Sequence, residues 1–233
     1  MRRISEGMPG GQDLRAIEVG ENLWAIVQSV PEAGYSETAL TRGLQNLDWV
    51  GPRAIAHERV IESFLSARAL LPMPVFTLFT SDDRALQHVR SDGVRIRRLL
   101  KRVEGRVEWG LRLTFDEKGA RAKVSSRPVT SGTEFLARKR EMLGINRTRL
   151  KEAQGIADRV YKSMSPLATA AQRRTSLERA APGSRLLLDA AFLVSAGKSG
   201  AFRSAVRRET RDLRAAGIAV SLTGPWPPYN FIA

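Results

Sequence analysis

Val220-Ser221-Leu222-Thr223-Gly224-Pro225-Trp226-Pro227-Pro228-Tyr229-Asn230-Phe231 begins as a strand and continues into residues that argue against one. From Ile218 to Leu222 apolar residues alternate with small or polar ones, the period of a half-buried strand. Pro225, Pro227 and Pro228 each fix φ and lack an N–H, so the backbone is expected to leave the ladder and run extended or polyproline-like. Trp226, Tyr229 and Phe231 ride on that stiff segment. A pre-ordered segment loses little entropy on docking, so these rings are candidates for a clasp or for partner binding. The simpler reading is a C-terminal clasp packed on the chain's own core.

Composition bounds the rest. The chain has 233 residues, 42% hydrophobic and 27% charged, the profile of one large or two small globular domains. It contains no cysteine, which removes disulfides, thiol catalysis and thiolate metal sites together, and its two histidines are too few for a His-rich metal centre. No apolar run approaches the roughly 20 residues of a membrane span, and the N-terminus lacks a signal-peptide core, so a cytoplasmic location is expected. The net charge of +14 is unevenly distributed. Met1–Glu117 holds 16 basic and 16 acidic residues, whereas 118–233 holds 22 basic and 8 acidic. That asymmetry implies two domains with different surfaces. Of the 38 basic residues 31 are arginine, which points to arginine-biased composition or to an acidic partner for the second half.

Along the chain, Leu14–Val19 and Leu23–Val30 read as a pair of short strands around Gly20-Glu21-Asn22. Ser36 opens one amphipathic helix, and a second is expected over Pro52–Leu70, because proline suits a first helical turn. Pro72 and Pro74 break it, Val75–Phe79 reads as a short strand, and Ser81 caps a third helix that runs to Val103. Val107–Phe115 alternates as a half-buried strand. The first domain, 1–117, is therefore expected to be an α+β sandwich in the order ββααβαβ. Residues 118–130 read as a linker. In the second domain, 131–233, Ser131-Gly132-Thr133-Glu134 resembles a capping box. It opens a long helix with Leu136, Leu143, Leu150, Ala157 and Met164 in heptad spacing and Ala153, Val160 and Leu167 on the adjoining stripe. Gly144 and Gly155 predict a bend or split in it. A strand over Leu186–Val194, a helix over Ser199–Ala216 and a strand from Ile218 then form a β-α-β unit, with a ferredoxin-like split arrangement as one option.

Few motifs carry chemistry. Ala196-Gly197-Lys198-Ser199 lacks the earlier glycine of a phosphate-binding loop, since Phe192 stands there, and a strand-to-helix turn with Ser199 as N-cap accounts for it. His57 and Glu58 do not form a metalloprotease motif, because the next histidine is His88. No nucleophile–base arrangement or paired carboxylates stand out, so neither catalysis nor a cofactor is expected. Arg203, Arg207, Arg211 and Arg214 fall on one face of the last helix, opposite Phe202, Ala205, Val206 and Leu213. With Arg138, Lys139, Arg140, Arg147, Arg149 and Lys151 they form a basic face that could neutralise phosphates. No aromatic residues interleave them, so base stacking is not expected.

The tail Leu222–Phe231 resembles the closing signature of the gas vesicle GvpF/GvpL family. Further similarities follow in order: Trp49, Ala56-His57-Glu58-Arg59-Val60, Pro72–Phe79 and Val107-Glu108-Trp109 in the first half. Gly132–Lys139, Ala190–Val194 and Ala201-Phe202-Arg203 continue the series in the second. The family's usual apolar, tyrosine-containing first strand has no counterpart in Met1–Asp13. The resemblance implies two α/β domains, the first a modified ferredoxin-like fold. It also implies a non-enzymatic accessory or minor structural protein of gas vesicle assembly, whose partners are the small hydrophobic shell protein and other assembly factors. The alternative reading is a nucleic-acid-binding protein using the arginine-rich second half.

Overall fold

The computed structural model describes residues 7–116, 131–175 and 182–232, and the chain divides into two units. One comprises Met1–Gly105 with Pro227–Ala233, the other Arg106–Trp226.

The first unit begins with an antiparallel hairpin, β1 (Arg15–Gly20) and β2 (Leu23–Val27), turning at Asn22, whose φ of 56° suits asparagine. Five helices follow: α1 (Glu32–Tyr35), α2 (Glu37–Gly43), α3 (Leu47–Ser63), α4 (Asp82–Ser91) and α5 (Gly93–Val103). Ser36 and Ser81 cap α2 and α4 as their positions predict, accepting from the N–H groups of Ala39 and Arg84. The hairpin is tied to α4 at two points. The Arg15 guanidinium grips the Asp82 carboxylate at 2.6 and 3.3 Å, and Arg90 donates to the carbonyl of Val19.

Three expectations for this unit are corrected. Helix α3 starts at Leu47, where the Asn46 side chain accepts from Asp48 N–H, so Pro52 lies inside it and not at its start. The helix expected over Ser81–Val103 is two, divided at Asp92. Val75–Phe79 is not a strand. Pro72 and Pro74 lack N–H donors, the Thr77 amide and hydroxyl both turn back to the Pro74 carbonyl, and Phe76 takes a φ of 64° while stacking on Trp49.

The second unit is built on a four-stranded antiparallel sheet of β3 (Arg106–Asp116), β4 (Ala170–Arg173), β5 (Ser184–Ser195) and β6 (Ile218–Trp226), in the order β4-β5-β3-β6. Helix α6 (Gly132–Met164) joins β3 to β4, and α7 (Ser199–Glu209) joins β5 to β6. This is the βαββαβ split arrangement of ferredoxin-like folds. The mixed α+β class stands, and the ferredoxin-like option offered for the second half is realised there with Arg106–Asp116 as its first strand, whereas the described strands of the first unit, where the family resemblance implied that fold, form only a hairpin. The reason is strand pairing. Trp109, Leu111, Leu113 and Phe115 line one face of β3, and β5, with eight successive buried residues from Leu187 to Val194, supplies a long apolar neighbour in register with it. The second unit thus opens at Arg106, and residues 118–130, read as a linker, lie outside the described residues.

Ala153, Ala157, Val160 and Met164 of α6 join Phe202, Ala205 and Val206 of α7 in one cluster with the sheet. Of the expected stripes, Leu150 packs against this core as well, whereas Leu136 is exposed and the Leu143 side chain lies outside the described residues. Helix α6 is continuous through Gly144 and Gly155, so of the expected bend or split the split is absent. Its tertiary packing along β5 outweighs a glycine penalty of about 1 kcal/mol at Gly155. Strand β4 arises in a stretch read as polar, and β6 runs past Leu222 to Trp226.

Candidate functional site

The tail residues are placed in two different settings. Strand β6 passes Gly224 and Pro225 by a register shift against β3, pairing Thr223 with Gly110 and Trp226 with Glu108. Gly224 has a φ of 125°, and a Cβ there would lie 2.8 Å from the Glu108 carbonyl oxygen, so only glycine fits. Proline is tolerated because β6 is an edge strand. Trp226 therefore ends the second unit's sheet, whereas Tyr229 and Phe231 belong to the first unit.

Beyond Pro227 the chain closes in a short 3-10 turn, Tyr229–Phe231, held by Tyr229 N–H to Pro227 O and Phe231 N–H to Pro228 O. The Tyr229 hydroxyl donates to the Glu58 carboxylate on α3, and Phe231 is buried. The neighbouring His57 is half-buried. Burial lowers its pKa below the ordinary histidine value, with Glu58 pulling in the opposite direction. Among the described residues, no group of three His, Cys, Asp or Glu side chains is gathered that could hold a metal ion.

The basic face is also divided. Helix α7 ends at Glu209, where the Thr210 hydroxyl returns to the Val206 carbonyl. Residues 210–217 then wind as turns closed three residues apart, Leu213 to Thr210, Ala216 to Leu213 and Gly217 to Arg214, until Gly217 takes a φ of 76°. Only Arg203 and Arg207 share the helix, and Arg211 and Arg214 follow it in the turns. Arg140, Arg147 and Lys151 are exposed on α6, and Arg138 and Lys139 fall outside the described side chains. Ser199, expected as an N-cap, lies inside α7 and accepts from the Trp109 indole N–H at 3.3 Å.

Between α7 and β6 lies a groove of about 510 Å³. Val206, Val220, Leu222 and Pro225 give it an apolar lining, and Arg203 and Arg207 a basic one. The Arg203 guanidinium also stands 5.7 Å from the centre of the Trp109 ring. On the sheet's opposite face Asp189, nearly fully buried, receives Arg112 at 3.0 Å and Arg174 at 2.8 and 2.5 Å. Gly110 leaves room for that arrangement, since a Cβ there would approach the Arg174 guanidinium to 3.2 Å. Neither the groove nor this ion-pair cluster was singled out in the sequence. The signal for the groove lay in the two arginines beside β6, and the signal for Asp189 in a lone acid within an apolar strand.

The family model described as gas vesicle synthesis protein GvpL/GvpF matches residues 2–233. The chain belongs to the GvpL/GvpF family. It is similar to gas vesicle protein L of Streptomyces sp. (strain CB03234), 31% identical over 95% of this chain and 84% of that protein. It is 26% identical to gas vesicle protein L2 of Halobacterium salinarum, over 80% of this chain and 72% of that one. The crystal structure of GvpF from Anabaena sp. PCC7120 shares its fold, with a TM-score of 0.68, 16% identity and coverage of 100% of this chain and 91% of that one. GvpF from Microcystis aeruginosa gives a TM-score of 0.64 at 13% identity, over 94% and 88% of the two chains. Membership of GvpL/GvpF assigns the chain a role in gas vesicle formation. No described helix is long and apolar enough to cross a membrane.

Proposed function

We propose that this protein is a non-catalytic accessory or minor structural component of gas vesicle assembly, working in the cytoplasm and at the vesicle. It binds the small hydrophobic shell protein together with other assembly factors, and shields apolar shell surface until polymerisation. The observation that carries this reading is the GvpL/GvpF match along residues 2–233. A surface feature supports it: Met73, Val75, Leu78 and Phe79, in the non-strand segment of the first unit, all keep apolar surface exposed. Exposed apolar residues that cluster along a short segment mark contact surfaces more often than scattered ones do.

The test is co-purification of the tagged chain with its shell protein at low and high salt, with nuclease present. Retention that survives nuclease and high salt is the expected result and assigns the contact to apolar surface. Recovery of nucleic acid alone, lost as salt rises, would favour the nucleic-acid reading instead, since phosphate contacts weaken steeply with salt.

A further inference from the structure

Strand β6 lies at the edge of the sheet formed by the described strands. Among the described residues it pairs only with β3. Asp116 N–H donates to the Gly217 carbonyl at 2.9 Å, which sets the alternation along the ladder. Ala219 and Ser221 then point their backbone groups at β3, and Ile218, Val220 and Leu222 point theirs away. The Ile218 N–H obeys this rule, turning from the sheet to the Leu213 carbonyl at 3.0 Å. Val220 and Leu222 therefore present outward-facing amides on that edge while their side chains line the α7 groove. Arg203 and Arg207 line the same groove, and neither forms an ion pair with a carboxylate among the described residues.

We propose that this edge and groove take up an acidic, extended segment of a partner protein as a fifth strand beside β6. Backbone groups of Val220 and Leu222 supply the pairing, the apolar lining accepts an aliphatic side chain, and a carboxylate two residues away on the same face reaches Arg207. Charge selects the occupant. A second copy of this chain fits poorly, because residues 118–233 carry 22 basic and 8 acidic groups and would bring like charge to the arginines. The inference stands apart from the identity of the gas vesicle partner.

The probe is a fluorescein-labelled peptide of sequence GETVTETVG, with its Glu→Lys counterpart as control, titrated against the full chain by fluorescence anisotropy. Binding of the acidic peptide only, weakened about tenfold in Arg207→Glu and further by added salt, is the expected result. Val220→Pro removes one outward amide without touching the β3 ladder and should weaken binding to a similar degree. If that variant fails to fold, hydrogen exchange of the unaltered chain replaces it, with the Val220 and Leu222 amides gaining protection when peptide is added. Equal binding of both peptides, no binding, or no protection of those amides would overturn the proposal. So would complete competition by single-stranded oligonucleotide combined with unchanged binding in Val220→Pro, which would make the site a general polyanion patch.

Discussion

The two units of this chain solve the same problem, the satisfaction of strands, in different ways. In the second, all four described strands share one sheet, and the longest pair, β3 and β5, runs in register over most of its length. Its core is a single contiguous cluster in which Leu111, Leu113, Ala190, Phe192 and Val194 are fully buried. In the first, the described strands form only a hairpin, Trp24 in β2 is 56% exposed, and the buried hydrophobic side chains are spread, one or two apiece, over β1, α1, α3, α4, α5 and the tail. A hairpin alone is marginal in water, and this one is tied to α4 by Arg15–Asp82, while Tyr229–Glu58 ties the tail to α3. The comparison separates a unit built on one contiguous apolar cluster from one in which the Tyr35–Trp49–Phe76 ring contacts and a few polar ties join hairpin, helices and tail.

The largest effect is expected in the sheet. Phe192→Ala removes a ring packed against Tyr161 and Phe202 and should cost about 3–5 kcal/mol. Chemical denaturation followed by hydrogen exchange should show the loss in Arg106–Trp226, and equal loss in both units would break the distinction drawn above. Asp189→Ala comes next. It leaves two guanidiniums without their shared carboxylate, and because both remain partly exposed the cost should be near 2 kcal/mol, read from the denaturation midpoint.

Smaller effects sharpen the view of the first unit. Tyr229→Phe deletes the hydroxyl that reaches Glu58 and should destabilise by about 1 kcal/mol. Exchange should quicken in α3 and at the tail while β3 and β5 stay protected. The smallest effect is pH-dependent. Because burial depresses the His57 pKa, the unfolded chain takes up a proton first as pH falls through the ordinary histidine value. The contribution of His57 is therefore present above that value and is lost below it, until the folded form also protonates. A fall in melting temperature from pH 8 to pH 5.5 should be reduced in His57→Gln, and an unchanged fall would assign it to other groups.

How much of this was legible depended on whether a residue's own neighbours in sequence decided its structure. The β1–β2 hairpin, the caps at Ser36 and Ser81, and the apolar alternation of β3 could all be read locally. Strand β4 could not, because Ala170-Ala171-Gln172-Arg173 has no strand pattern and exists by pairing with β5. Val75–Phe79 misled in the opposite sense, being rich in strand formers with no described strand beside it. Gly224-Pro225 looked like a terminus for β6, and only an edge position with a register shift lets the strand continue. The stripe through Arg214 rested on assuming α-helical geometry for turns that close three residues apart. The groove was hidden for the same reason, since it needs β6 and α7 in place before its lining exists.

The division of the chain has a consequence for the order of folding. The first unit is discontinuous, taking Tyr229 and Phe231 from a segment that follows the whole of the second unit in sequence. Its closing contact joins Glu58 to Tyr229 across 171 positions, and so distant a pair costs loop-closure entropy before the contact repays it. The second unit is continuous in sequence, so its sheet should form ahead of that last fastening.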